Sequence, residues 1–291
     1  MGVFCTRMDK IKPKTCIRMF YNCNNLIQIK NLQNLDTSTC VNMTGMFGCT
    51  NSLNLTDLSS FDTHNVTGMN GMFSCCESLN QLDLNNFDTS KVTDMQAMFY
   101  YCKNLTSLDI SNFDTSRVTG MNYMFLGCEL LIQLDLNNFN TSKVINMYSM
   151  FSKCSKLTSL DLSNFDTKRV TNMGQMFYGC SALTNLDLSN FDTSKVTEMY
   201  SMFSGCKSLT QLDLSNFDTS QVTDIRSMFA TCKKLATIYI SYKWKTNSVV
   251  YSGNMFNGCR SLTVFSPEKT NIEMAKPIEE GGYLTLKRQA L

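Results

Sequence analysis

The chain has 291 residues and a formal net charge of +2 at pH 7. That length buries a large core as one unit or two, and the near-neutral balance gives no reason to expect nucleic acid or an anionic membrane as the main partner. No stretch reaches the roughly 18 apolar residues of a membrane span, so no membrane insertion is expected.

Residues 1–15 carry no repeat pattern and are expected to form an N-terminal cover. They lack the apolar core of a secretory signal; if the protein is exported, its signal has been removed or lies outside this chain. Cys16, Met19, Phe20 and Cys23 begin a degenerate first unit. Met-Phe pairs then end at Phe47, Phe73, Phe99, Phe125, Phe151, Phe177, Phe203 and Phe229, always 26 residues apart. Phe20 and Phe256 extend the series with one extra residue each, which makes ten anchors. A fixed period over this many copies means a solenoid, in which each unit stacks only on its neighbours.

Each unit then predicts its own structure. In LNQLDL (79–84), Leu82 and Leu84 alternate with Asp83 at strand period, and Leu79 starts the segment. One strand per unit predicts a parallel sheet with neighbours about 4.8 Å apart, on the order of 45–50 Å long over all units. Asn85 and Asn86 turn the chain, Phe87 points back inside, and Asp88, Thr89 and Ser90 turn and cap. Val92 and Met95 point inward, and Met98, Phe99 and Cys102 fit one face of a short helix. The repeat decays through IYISYKWK (238–245), with a last strand expected at LTVF (262–265). YLTLK (283–287) reads either as a strand closing the sheet edge or as a loose tail. The domain reading is therefore a cover at 1–15, a solenoid of about ten units at 16–265 and a cap or tail at 266–291.

In a solenoid each position becomes a column. The cysteine column (Cys23, Cys76, Cys102, Cys128, Cys154, Cys180, Cys206, Cys232, Cys259) lacks the converging spacings of a zinc site. It is expected to be buried and reduced, because neighbouring side chains point the same way. Cys49 and Cys75 sit one place ahead of the column and approach each other, so a bridge between them stays open. The M-x-x-M pairs have spacing that suits Cu(I), but each is followed by Phe, which favours core packing with sulfur–aromatic contacts. No metal site and no cofactor are expected.

The aspartate column Asp57, Asp83, Asp109, Asp135, Asp161, Asp187 and Asp213 lies between inward leucines and faces out. Like charges this close repel, so solvent, neighbouring Ser, Asn and Thr side chains, a weakly bound cation or a basic partner must offset them. This column, ending in Tyr239, is the candidate partner-binding face. Tyr239, Tyr242 and Trp244 form an aromatic cluster that is either cap packing or a binding hot spot. A second acidic column (Asp62, Asp88, Asp114, Asp166, Asp192, Asp218) has Asn140 as its fourth member, which favours turn capping over charge chemistry. Lys91, Arg117, Lys143, Arg169 and Lys195 make a basic edge stripe that balances it. The unbroken Thr column from Thr37 to Thr219 raises an ice-binding alternative, with structural hydrogen bonding favoured. His64 is the sole histidine and reads as a tolerated turn substitution. No acid, base or nucleophile breaks the repeat to form a catalytic site, so a non-enzymatic role is expected.

The segment LTSLDLSNFDTKRVTNMGQMFYGC (157–180) resembles the leucine-rich repeat, and more closely its BspA-like class, through L-x-x-L-x-L and the M-F-x-x-C ending. The resemblance covers roughly residues 16–265. The unit departs from many leucine-rich repeats in having Phe87, Phe113 and Phe139 where those have Asn or Cys. The resemblance implies an α/β solenoid, a right-handed coil with one parallel β-sheet and short helices or turns on the opposite wall. It also implies a cell-surface or secreted adhesion protein whose partner is a host or matrix protein. The alternatives are an intracellular interaction scaffold or effector, and a structural or ice-interacting ladder.

Overall fold

The computed structural model describes residues 11–53 and 57–287. Most of the expected N-terminal cover lies outside them. The 26-residue units stack as successive coils of a solenoid, and one continuous apolar core runs through them.

Two phenylalanine columns form the spine of that core. Rings of Phe47, Phe73, Phe99, Phe125, Phe151, Phe177, Phe203 and Phe229 stack nearly parallel, with successive centroids 5.7–5.9 Å apart. Phe256 ends the stack, and Tyr283 caps it edge-on at 5.3 Å. The second column, Phe61 to Phe217, returns each turn to the interior. Methionine, leucine, valine and cysteine fill the space between.

The wall carrying Met and Phe is not helical. Along one coil, the N–H groups of Met69, Gly71, Phe73 and Cys75 donate to Asp94, Gln96, Met98 and Tyr100 of the next coil at 3.1, 2.8, 3.0 and 2.6 Å. The intervening N–H groups of Met72 and Ser74 close local turns onto Met69 and Gly71. A helix needs every N–H for its own chain, so the expected short helix gives way to laterally bonded turns. A ladder of parallel bridges, Asn42–Gly68–Asp94–Gly120–Asn146–Asn172–Glu198–Asp224–Tyr251, runs along the same wall.

The expected sheet is present at the C-terminal end. Strands β1 (Gln211–Asp213), β2 (Thr237–Ile240) and β3 (Thr285–Leu286) pair in parallel in that order. YLTLK thus closes the sheet edge, with Lys287 N–H donating to Ile240 O at 2.8 Å. Among the described residues, the L-x-x-L-D-L segments of earlier coils form no strands, and sparse backbone bonds such as Thr106 N–H to Asn80 O at 3.1 Å link them. LTVF (262–265) is a turn rather than a last strand. Trp244 is buried, with its indole N–H on Ala275 O at 3.2 Å, while Tyr242 is exposed. The expected aromatic cluster is thereby divided, and Trp244 serves cap packing.

Two polar columns bind coil to coil from inside. Buried Thr63 Oγ1 accepts the N–H of Asp88 at 2.7 Å and donates to the Asp88 carbonyl at 3.0 Å. The arrangement recurs up to Thr193 and Asp218. The asparagine after the LDL turn does more than turn the chain. Asn164 Nδ2 donates to Leu136, Asn137 and Phe139 carbonyls at 2.9, 3.3 and 2.7 Å. These threonine hydroxyls face protein rather than solvent.

Replacing Thr141 by Val keeps the shape but strands the Asp166 N–H. The expected loss is about 1–3 kcal/mol, read as a lower urea midpoint, with Thr141→Ser close to wild type. Equal midpoints for Thr141→Val and wild type would show the column to be dispensable.

Candidate functional site

Four coils present a common acidic groove of ≈ 990 Å³. Asp83, Asp109, Asp135 and Asp161 line it with Gln81, Ser107, Gln133, Ser159, Asn85 and Asn137. Its floor is Leu82, Leu108 and Leu134, and no basic side chain lines it. The alternation of the LDL segment produces this arrangement, burying the leucines and leaving the carboxylates exposed.

Each carboxylate is tied to its own turn. Oδ1 of Asp83, Asp109, Asp135 and Asp161 accepts the N–H two residues on at 3.0, 3.0, 2.9 and 2.9 Å. The Ser111 N–H and then its hydroxyl hold the Asp109 carboxyl below the usual range, and Ser163 does the same for Asp161. Asp57 is lowered by the Ser59 hydroxyl and N–H. The repulsion expected along the column is therefore met first by local donors.

The other predicted site residues are placed differently. Asp57 and Asp187 continue the column beyond the groove lining. Asp213 is half-buried and ion-paired with Lys287. Burial pushes its carboxyl up, but Lys287 and Ser215 outweigh this and bring it below the ordinary range. Tyr239 pairs with Asp213 on one side and Thr285 on the other, inside the closed end of the sheet. The structure thus groups four of the eight expected residues in one groove. Among the described residues, no group of three or more His, Cys, Asp or Glu side chains converges to hold a metal ion. No helix among them is long and apolar enough to cross a membrane.

The second acidic column caps turns, as the Asn140 substitution suggested. Asp88, Asp114 and Asn140 accept the N–H two residues on at 2.9, 2.8 and 3.1 Å. His64 lies on Asp62 in the same kind of turn. The basic stripe is exposed, and among the described residues its five members form no ion pair. Every described cysteine is a free thiol. Most of the column is buried, with Cys102 Sγ donating to Phe73 O at 3.1 Å, whereas Cys23 is exposed. Burial pushes the Cys76 and Cys180 thiols up to about 12.

One feature of the opposite wall was missed. Tyr100, Tyr123, Tyr148 and Tyr200 form an aromatic row, with successive centroids 6.2, 5.0 and 5.7 Å apart. Lys103 and Lys153 stand over the adjoining Tyr101 ring at 5.5 Å each. The signal was available as tyrosine at positions that vary between units.

A stacked 26-residue unit with inward L-x-x-L-x-L leucines defines a repeat solenoid of the leucine-rich-repeat kind. The family described as "Mycoplasma protein of unknown function, DUF285" matches residues 14–108, 103–187 and 154–267, and the chain belongs to that family. The threefold match fits the BspA-like resemblance of the repeat. Among solved structures, a leucine-rich repeat protein from Bacteroides ovatus is 16% identical with a TM-score of 0.40, over 85% of this chain and 62% of that one. The chain therefore spans less than two thirds of that protein's length. A leucine rich cell surface protein from Faecalibacterium prausnitzii is 19% identical with a TM-score of 0.39, over 94% and 79% of the two chains. No curated protein matches the chain.

Two measurements check the site chemistry. The lowered carboxyls, with Asp36 at about 2, release protons more readily folded than unfolded. Their stabilisation is present above the unfolded value near about 4 and is lost as pH falls through the folded values. The melting temperature should thus be flat from pH 7 to about 5 and drop below about 4; a flat profile down to about 2 would contradict the turn bonding. In thiol labelling, Cys23, Cys49 and Cys75 should react in the native protein and the ten buried cysteines only after denaturation. Native labelling of Cys128 or Cys154 would contradict the core.

Proposed function

We propose that this solenoid is a non-enzymatic protein-binding module whose acidic groove docks a basic, extended segment of a host or matrix protein at the cell surface. The carrying observation is the groove itself, with Asp83, Asp109, Asp135 and Asp161 along one line and no lining cation. Each coil offers one weak charged contact, and a rigid row of them adds up. Asp57, Asp187, Asp213 and Tyr239 extend the face, Asp213 taking part when Lys287 is displaced. Spaced carboxylates also suit a weakly held cation when no partner is bound. We take the coil to be right-handed, by the chirality that governs parallel crossovers. The surface role rests on the BspA-like resemblance.

The test uses purified protein on immobilised matrix proteins and cell monolayers. Asp109→Asn, Asp135→Asn and Asp161→Asn together keep the turns, as Asn140 does in its own column, and should weaken binding and flatten its salt dependence. Charge reversal to Lys at the same three positions should abolish binding with an unchanged circular dichroism spectrum. Undiminished binding by the folded Lys variant would sink the groove as the docking face. Failure of the wild type to bind either surface would sink the adhesion reading.

A further inference from the structure

Cys49 and Cys75 are equivalent residues of adjacent coils, and both have a left-handed backbone, φ 57° and 56°. Their N–H groups donate to Ser74 O and Tyr100 O, each at 2.6 Å, which holds them in the same register. Parallel neighbours stand about 4.8 Å apart, inside the roughly 4.4–6.8 Å Cα span of a disulfide. The same column elsewhere holds Gly127, Gly179, Gly205 and Gly258 at φ between 72° and 79°, and Tyr101, Lys153 and Thr231 at φ between 53° and 59°. Left-handed backbone favours glycine, so two consecutive cysteines here sit against local preference.

Core filling does not account for them. Both are half-exposed, whereas the next residue, Cys76, is buried and its thiol donates to Phe47 O at 3.1 Å. Both side chains leave equivalent backbone positions of adjacent coils. Ser74 Oγ donates to Cys75 Sγ at 3.7 Å. Cys16 and Cys40, by contrast, are both buried. A dissolved oxidant therefore reaches the outer pair first.

We propose that Cys49 and Cys75 form a redox modification site, an accessible dithiol that a low-molecular-weight disulfide oxidises to a covalent bridge between adjacent coils. One thiolate attacks the small disulfide, releasing one small thiol and leaving a mixed disulfide on the protein. The second thiolate attacks the protein sulfur of that mixed disulfide, forming the Cys49–Cys75 bond and expelling the second small thiol. The protein loses two electrons and two protons, and the small disulfide gains both. Burial raises the Cys75 thiol, so exchange quickens as pH rises. The parallel Cβ atoms must close by roughly 0.3–1 Å to reach disulfide spacing, a shift confined to a surface turn. The bridge clamps the early coils together and opens again in reductant.

The native full chain is incubated with oxidised glutathione, alkylated under acid quench and digested with chymotrypsin. Cleavage after Phe61 separates Cys49 from Cys75. The expected product is a Cys49–Cys75 cross-linked peptide pair that disappears with dithiothreitol. Cys49→Ser and Cys75→Ser should each leave the remaining partner as a glutathione adduct, alongside exposed Cys23, with no cross-link, which also separates Cys75 from Cys76. Two independent glutathione adducts, a cross-link to another cysteine, or both thiols still reduced in the folded wild type would overturn the proposal. None of these outcomes depends on the acidic groove.

Discussion

Alternate N–H groups on the methionine–phenylalanine wall are given to the next coil, and the solenoid depends on that exchange. It forces the intervening groups into tight local turns and places left-handed residues at recurring positions, as at Ala97 and Tyr101. Neighbouring coils are thereby held in one register, and the phenylalanine rings stack face to face at a constant separation. Backbone bonding and core packing follow the same 26-residue register, so one stacking satisfies both.

The interior is not purely apolar, and its polar columns decide which side chains remain for function. Threonine hydroxyls and asparagine amides consume the carbonyls and N–H groups that a turn between coils would otherwise bury unpaired. With those groups satisfied inside, the LDL aspartates are left on the surface, those of the groove bonded to their own turns. The acidic groove is therefore a by-product of how the turn is built.

The ends and the irregular positions carry the individuality of the molecule. Tyr283 seals the phenylalanine stack and Lys287 neutralises the last aspartate, so the acidic face stops short of the C-terminal cap. Cys49 and Cys75 occupy a column that other coils give to glycine or to larger polar residues. The tyrosine row likewise occupies positions that the repeat leaves open. Chemistry is most specific where the 26-residue pattern is interrupted.

The period, the inward leucines and phenylalanines, the turn-capping aspartates and the buried cysteine column were legible in sequence, because burial recurs with the repeat and each unit meets the same neighbours. The sequence could not decide between a helix and bonded turns around Met98, Phe99 and Cys102, since i, i+1, i+4 spacing suits both. Nor could it show that Asn164 braces the preceding coil, that Asp213 is paired with Lys287, or that four aspartates share one groove. Those outcomes depend on where hydrogen-bond partners from other coils and from the cap arrive, and only the stacked structure brings residues 25 to 74 positions apart into contact.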